Sequence, residues 1–175
     1  MIAVVGMPGS GKSEFVNIAI SYGYRFISMG DIVREETVKR GYPLEESGKV
    51  AQMLRDKEGL DAIAILTLDR INETQNGKFI IEGIRGIKEI ERFRKELDFF
   101  LVGIHTSPRL RFERLKNRER ADDPKNFEDF YNRDLRELSW GLGEALALSD
   151  VIIDNNGTLE DYRASITRVI KKYEL

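Results

Sequence analysis

Apolar positions along the chain follow two alternating rhythms. Short β-branched runs predict strands at Met1–Val5, Tyr24–Ile27, Lys78–Glu82, Asp98–His105 and Val151–Asp154. Between them, apolar residues at three- and four-residue spacing predict helices over Ser13–Ser21, Met29–Arg40, Leu44–Arg55, Leu60–Glu73, Ile87–Glu96, Pro108–Glu119, Asn126–Leu138, Gly143–Leu148 and Thr158–Tyr173. Gly41 with Pro43, Gly59, Asn76-Gly77 and Asn155-Asn156-Gly157 punctuate these segments as turns or helix ends. Strand–helix alternation predicts an α/β domain with a mainly parallel sheet. The nearly continuous apolar run of Asp98–His105 predicts a central strand buried on both faces. Trp140, Leu142, Leu146 and Leu148 are expected in the core, and Tyr22 and Tyr24 packed around the second strand.

At 175 residues the chain fits one domain. Composition then narrows the chemistry. There is no cysteine and one histidine, which excludes disulfides, thiolate nucleophiles and Cys-ligated zinc, and argues against a His-based metal site. Charged residues make up 33% of the chain, yet the formal net charge is only -2, so bulk positive charge does not grip nucleic acid. No apolar run approaches the roughly 20 residues needed to span a bilayer. The chain opens directly into a strand pattern, without a charged segment followed by a long apolar one, and a cytoplasmic location is expected. The pattern specifies no oligomeric state.

One motif is specific. Gly6-Met7-Pro8-Gly9-Ser10-Gly11-Lys12-Ser13 matches G-x-x-x-x-G-K-[ST], directly after an apolar strand and directly before a helix. Glycines let backbone N–H groups approach phosphate oxygens closely. A helix opening near Gly11 or Lys12 aims its unpaired amides and positive dipole end at an anion. Lys12 is expected to reach the β- and γ-phosphates of ATP or a similar triphosphate, and the Ser13 hydroxyl to ligate Mg²⁺.

Together with this P-loop, the segments Ser28-Met29-Gly30-Asp31-Ile32-Val33-Arg34, Ile81-Glu82-Gly83-Ile84-Arg85 and Arg114 to Arg136 carry a resemblance to the nucleoside-monophosphate kinase group. The chain is most similar there to archaeal adenylate-kinase-related, dephospho-CoA-kinase-like proteins. The resemblance implies a three-layer P-loop fold with a five-stranded parallel sheet, helices on both faces, an acceptor-binding segment at about 30–75 and a lid at about 114–136. It implies that Arg34 binds acceptor phosphate and that Asp31 lies beside the transferring group. Asp31 is also expected to cap or open a helix at a strand end. The second segment is similar to a D-G-[FI]-P-R turn, with Gly83 in the turn and Arg85 clamping acceptor phosphate. Glu82 replaces the usual aspartate and no proline precedes Arg85; Glu82 then either holds Mg²⁺ through water or acts as a base.

Arg109, Arg111, Arg114, Arg118 and Arg120 form a dense positive run, followed by Asp122-Asp123-Pro124 and by Arg133 and Arg136. Converging guanidinium groups suit an anionic phosphoryl transition state. Arg114, Arg118, Arg120 and Arg133 are the expected contributors, with Asp122 and Asp123 pairing with them when the lid closes. No aromatics interleave the run, which makes nucleic acid an unlikely partner. The turn containing Asn156 resembles the segment that touches the nucleoside base. The expected acceptor is a small phosphorylated molecule, a nucleoside monophosphate first and dephospho-CoA second. The competing expectation is an ATP-dependent switch or assembly factor acting on a protein or RNA.

Overall fold

The computed structural model describes residues 1–74, 77–118 and 123–173. Strands β1 (Ile2–Val5), β2 (Arg25–Ser28), β3 (Phe79–Glu82), β4 (Phe100–His105) and β5 (Val151–Asp154) alternate with helices α1 (Lys12–Ser21), α2 (Met29–Lys39), α3 (Ser47–Glu58), α4 (Ala62–Glu73), α5 (Ile87–Glu96), α6 (Pro108–Arg118), α7 (Phe127–Ser139), α8 (Leu142–Ala147) and α9 (Leu159–Lys172). The strands form one five-stranded sheet in the order β2-β3-β1-β4-β5, and every neighbouring pair is parallel. All strand C-termini therefore meet at one edge, where ligands bind in open α/β sheets.

The two-residue period of the strands divides the core. Ala3 and Val5 join Ile27, Ile81 and Leu101 under α2–α5 and α8. Ile2 and Val4 join Ile80, Val102 and Ile104 under α1 and α9. The interior strands β1, β3 and β4 are thus mostly apolar on both faces, as helices cover both. β4 is an interior strand but not the central one; β1 holds that place. Both are sandwiched by helices, so an apolar run alone does not tell them apart.

Local chemistry sets the helix boundaries. Asp31 does not cap α2: the Ser28 hydroxyl does, accepting from the Asp31 amide at 3.1 Å, which leaves Asp31 in the first turn. The helix expected over Leu44–Arg55 splits into a 3-10 turn at Leu44–Glu46 and α3, because Pro43 fixes an extended entry before it. Asn126 and Thr158 cap α7 and α9. Leu142 and Tyr24 are buried as expected, whereas Leu148 is 55% and Tyr22 39% exposed at helix ends. Gly86, at the mouth of α5, lies so close to the end of α7 that a Cβ there would come within 2.0 Å of the Trp140 carbonyl oxygen.

Candidate functional site

The loop from Gly6 to Gly11 leaves β1, the middle strand, and enters α1 at the C-terminal edge of the sheet. Three of its carbonyls, those of Pro8, Ser10 and Gly11, are taken up by side chains of other elements. Pro8 O accepts from Arg111 Nη1 at 3.3 Å. Ser10 O accepts from Thr106 Oγ1 at 3.0 Å and from Asn155 Nδ2 at 2.8 Å. Gly11 O accepts from the Tyr162 hydroxyl at 3.0 Å. Side chains from α6, α9 and the β4 and β5 ends thereby fix the loop from outside. Gly11 has φ 103 and caps α1; a Cβ there would stand 2.4 Å from Asn155 Nδ2, so conformation and space both require glycine. The first amides of a helix lack intrahelical carbonyl partners four residues back, and in α1 the Glu14 amide bonds instead to Gly11 O at 3.1 Å.

Lys12 is buried and folded back on the loop, donating to Gly6 O at 2.7 Å and Met7 O at 3.2 Å, with Glu82 Oε1 at 3.9 Å. Burial pushes its ammonium down from the usual lysine range to about 8, with Glu82 opposing. Arg85 and Arg133 push it further down, and Glu137 opposes them. Ser13 is exposed in the first turn of α1, and among the described residues the buried Ser10 Oγ has no hydrogen-bond partner. With the Pro8, Ser10 and Gly11 carbonyls occupied by other side chains, the helix-terminal amides, the Lys12 ammonium group and the buried Ser10 hydroxyl form a donor set that fits a polyphosphate. The Ser13 hydroxyl could add an oxygen ligand for Mg²⁺. Among the described residues no group of acidic or histidine side chains could hold a metal by itself, so such an ion would depend on phosphate oxygens as well.

The arginine run divides in space. Arg111 is 3% exposed and forks onto the buried Asp134 carboxylate of α7, with Nη1 to Oδ1 at 2.8 Å and Nη2 to Oδ2, while Nε donates to Thr106 O at 3.1 Å. Its guanidinium also lies 5.0 Å from the Phe130 ring centroid. Arg114 donates to Asn155 O at 3.1 Å and Thr106 Oγ1 at 3.4 Å. Arg118 forks onto Asp123, with Nε to Oδ2 at 3.0 Å, and Arg133 Nη1 approaches the same carboxylate at 3.9 Å.

At the other end of the same edge, Ser28 of β2 and Val4 of β1 both stand beside Glu82 of β3. Gly83, at φ 104, packs against the start of α2, where a Cβ would meet Met29 Cβ at 3.1 Å. Arg85 Nη1 lies 3.2 Å from Glu137 Oε2, and its amide donates to Glu89 at 2.6 Å. Burial raises the carboxyl pKa of Glu89, against the pull of Arg55, whose Nη2 donates to it at 2.9 Å. Asp31 and Arg34 pair with each other, each more than half exposed.

A family profile described as an AAA domain matches residues 5–130. A UPF0200 protein of Methanosarcina barkeri is 42% identical over 177 residues, covering 99% of this chain and 95% of that protein. The chain belongs to the UPF0200 family. Its fold is shared with TT1252 of Thermus thermophilus, at TM-score 0.65 and 18% identity over 98% of this chain and 96% of that one. Shikimate kinase of Bacteroides thetaiotaomicron superposes at TM-score 0.64 and 16% identity, covering 99% and 98%. This UPF0200 member therefore has the kinase-like P-loop NTPase fold, with the five-stranded parallel sheet expected from sequence. Among the described residues no helix is long and apolar enough to cross a membrane.

Against the residues singled out from sequence, the UPF0200 structure brings Gly6 to Ser13, Glu82, Arg85 and Arg133 to one locus around Lys12. Arg114 bonds Thr106 and Asn155, the two residues that hold Ser10 O, and Asn156 Oδ1 accepts from Ser107 N at 2.9 Å. Asp31 and Arg34 lie on α2, paired with each other and more than half exposed. Arg120 and Asp122 lie outside the described residues. Sequence reasoning passed over Tyr162, Asp134 and Glu137, saw Asn155 only as part of the turn with Asn156, and gave Arg111 no role of its own. For Arg111 the available signal was its place one turn before Arg114; for Glu137, its place four residues after Arg133.

Proposed function

We propose that the chain is an ATP-dependent phosphotransferase that moves the γ-phosphoryl group to a small phosphorylated acceptor. The observation that carries this is the convergence on Lys12 of a loop braced from outside at Pro8, Ser10 and Gly11, and of Arg85 and Arg133 from two other elements. On this reading Gly6 to Ser13 hold the triphosphate, with Lys12 swinging from the Gly6 and Met7 carbonyls to the β- and γ-oxygens. Mg²⁺, held in part by Ser13, would neutralise charge on those oxygens. Arg34 and Arg85 take the acceptor phosphate, and Arg118, Arg120 and Arg133 approach the transferring group as the segment at about 114–136 closes. The acceptor oxygen attacks the γ-phosphorus and the β–γ bridging oxygen leaves on ADP. Such a transfer relies on positioning and charge neutralisation.

A nucleoside monophosphate remains the first-choice acceptor and dephospho-CoA the second. Glu82 is engaged with Lys12 and Asp31 with Arg34, so both carboxylates serve as counter-ions. A phosphate oxygen needs no base to attack, whereas a ribose hydroxyl benefits from one. The arrangement thus favours the first.

One observation favours a second reading, a switch that acts on a protein partner. Phe127, Tyr131, Leu135 and Leu138 form an exposed apolar row along α7. Incubation with Mg-ATP and AMP, CMP, UMP, deoxynucleoside monophosphates or dephospho-CoA, with ADP release followed, separates the two. Acceptor-dependent ADP formation is expected; no stimulation by any acceptor over background hydrolysis overturns the kinase reading.

A further inference from the structure

Glu137 is a carboxylate where a phosphate site should have none. It is 3% exposed, it projects from the same face of α7 as Arg133, and it acts on Lys12 together with Arg85, Arg133 and Glu82. A buried carboxylate needs a charged partner. Its Oε2 lies 3.2 Å from Arg85 Nη1, but no hydrogen bond of good geometry is made to that oxygen among the described residues. The contact is an ion pair that has not closed into the fork that Arg111 makes with Asp134 a turn earlier on the same helix.

The backbone of Arg85 is fixed independently. Its amide donates to Glu89, which Arg55 holds from α3. Arg55 in turn stacks at 4.7 Å from the ring centroid of Trp140, the residue that caps the C-terminus of α7. Arg85 is therefore presented from a rigid base, and its side chain meets α7 through Glu137.

We propose that Glu137 is a built-in occupant of the acceptor-phosphate clamp: it holds Arg85 until an incoming phosphate replaces it, and that replacement releases the inner face of α7. The inference rests on the acceptor-phosphate role proposed above for Arg85. Glu137 is then a positioning residue. It couples arrival of the acceptor to the helix that carries Arg133 and Asp134, and through Asp134 and Arg111 to Pro8 of the phosphate loop. The cost of displacing it is a competition term that weakens apparent acceptor binding.

The test uses the full chain with its loop saturated by Mg²⁺ and a non-hydrolysable ATP analogue, titrated with methyl phosphate. Trp140 is the only tryptophan and reports on the end of α7. Glu137→Gln is expected to bind methyl phosphate about tenfold more tightly than the native chain, the low end of what a close charge pair contributes. Glu137→Asp keeps the charge but withdraws it from Arg85, and should tighten binding several-fold, which preserves the test if the glutamine variant folds poorly. In an Arg85→Ala background the gain from either variant should vanish. Native Trp140 fluorescence should shift on titration toward that of unliganded Glu137→Gln. Unchanged or weaker binding by both variants, or the same gain without Arg85, overturns the proposal and makes Glu137 a structural counter-ion. If Arg85→Ala alone leaves methyl phosphate binding intact, the acceptor role of Arg85 falls, and this inference with it. If Arg85→Ala weakens binding while the Glu137 variants change nothing, only the coupling falls.

Discussion

The two ends of the ligand edge are built in opposite ways. At the phosphate loop, each carbonyl of Pro8, Ser10 and Gly11 is tied by a side chain from a distant element, and the ties are buried or nearly so. At the start of α2, Asp31 and Arg34 are joined chiefly to each other and face solvent. The first region is shaped before any ligand arrives, which lowers the ordering cost of binding. The second has room to adapt. On the proposed function, the grip on the nucleotide would be fixed and the grip on the phosphate acceptor adjustable.

The contrast can be broken most severely at Lys12. Lys12→Ala is expected to reduce kcat/KM for ATP turnover by about a thousandfold, read by ADP release. Wild-type turnover in that variant would remove the phosphate-loop assignment altogether. Next in size is the buried fork between Arg111 and Asp134. Asp134→Ala strands a buried guanidinium beside the loop and should cost about 3–5 kcal/mol of stability, measured by denaturant unfolding. A loss under about 1 kcal/mol would mean that the loop is not braced from α7.

The pH dependence sharpens the comparison further. In the free protein burial holds the Lys12 ammonium at about 8. Bound polyphosphate would raise that value, so above pH 8 binding takes up a proton. Nucleotide affinity is then full below about pH 8 and falls beyond it, by up to about tenfold per unit. Calorimetry in buffers of different ionisation enthalpy checks the proton uptake. Stability runs the other way. The unfolded lysine keeps its proton to about 10.4, so between pH 8 and that value the unfolded chain binds more protons. The penalty for burying the ammonium therefore shrinks as pH rises across this window.

Smaller effects are expected from Tyr162→Phe, which removes the hydroxyl donor to Gly11 O. Burial, with Glu14 adding, raises the phenol pKa, so it stays a proton donor at working pH. The loss should be about 1 kcal/mol in unfolding free energy. Smallest in stability is Arg34→Ala, within about 0.5 kcal/mol, because the pair it breaks is exposed. Its effect should appear instead as a raised acceptor KM with ATP affinity unchanged.

Much of the fold was legible because both rhythms were clean: short, nearly continuous apolar strands between helices, closed by glycine and proline. Strand order was not, since β1 and β4 are equally apolar and only the crossovers distinguish them. At the site, the phosphate loop was readable because its motif is contiguous. Its braces were not. Asn155, Tyr162 and Asp134 meet the loop across 145, 151 and 126 residues of chain or through Arg111, and nothing in local spacing marks them. Asp31 was read as a possible cap because strand ends favour such residues, but Ser28 comes first in the chain and offers a hydroxyl in the right place.

Gly86 gives this arrangement its tolerance. Only a hydrogen atom fits between the turn bearing Arg85 and the Trp140 carbonyl. Even the smallest added group would act as a wedge, lifting the end of α7 from the turn and shifting Arg85 relative to Glu137. An alanine there should thus be felt at the guanidinium rather than at its own position, and the spacing between two functional elements is set by a side chain that is missing.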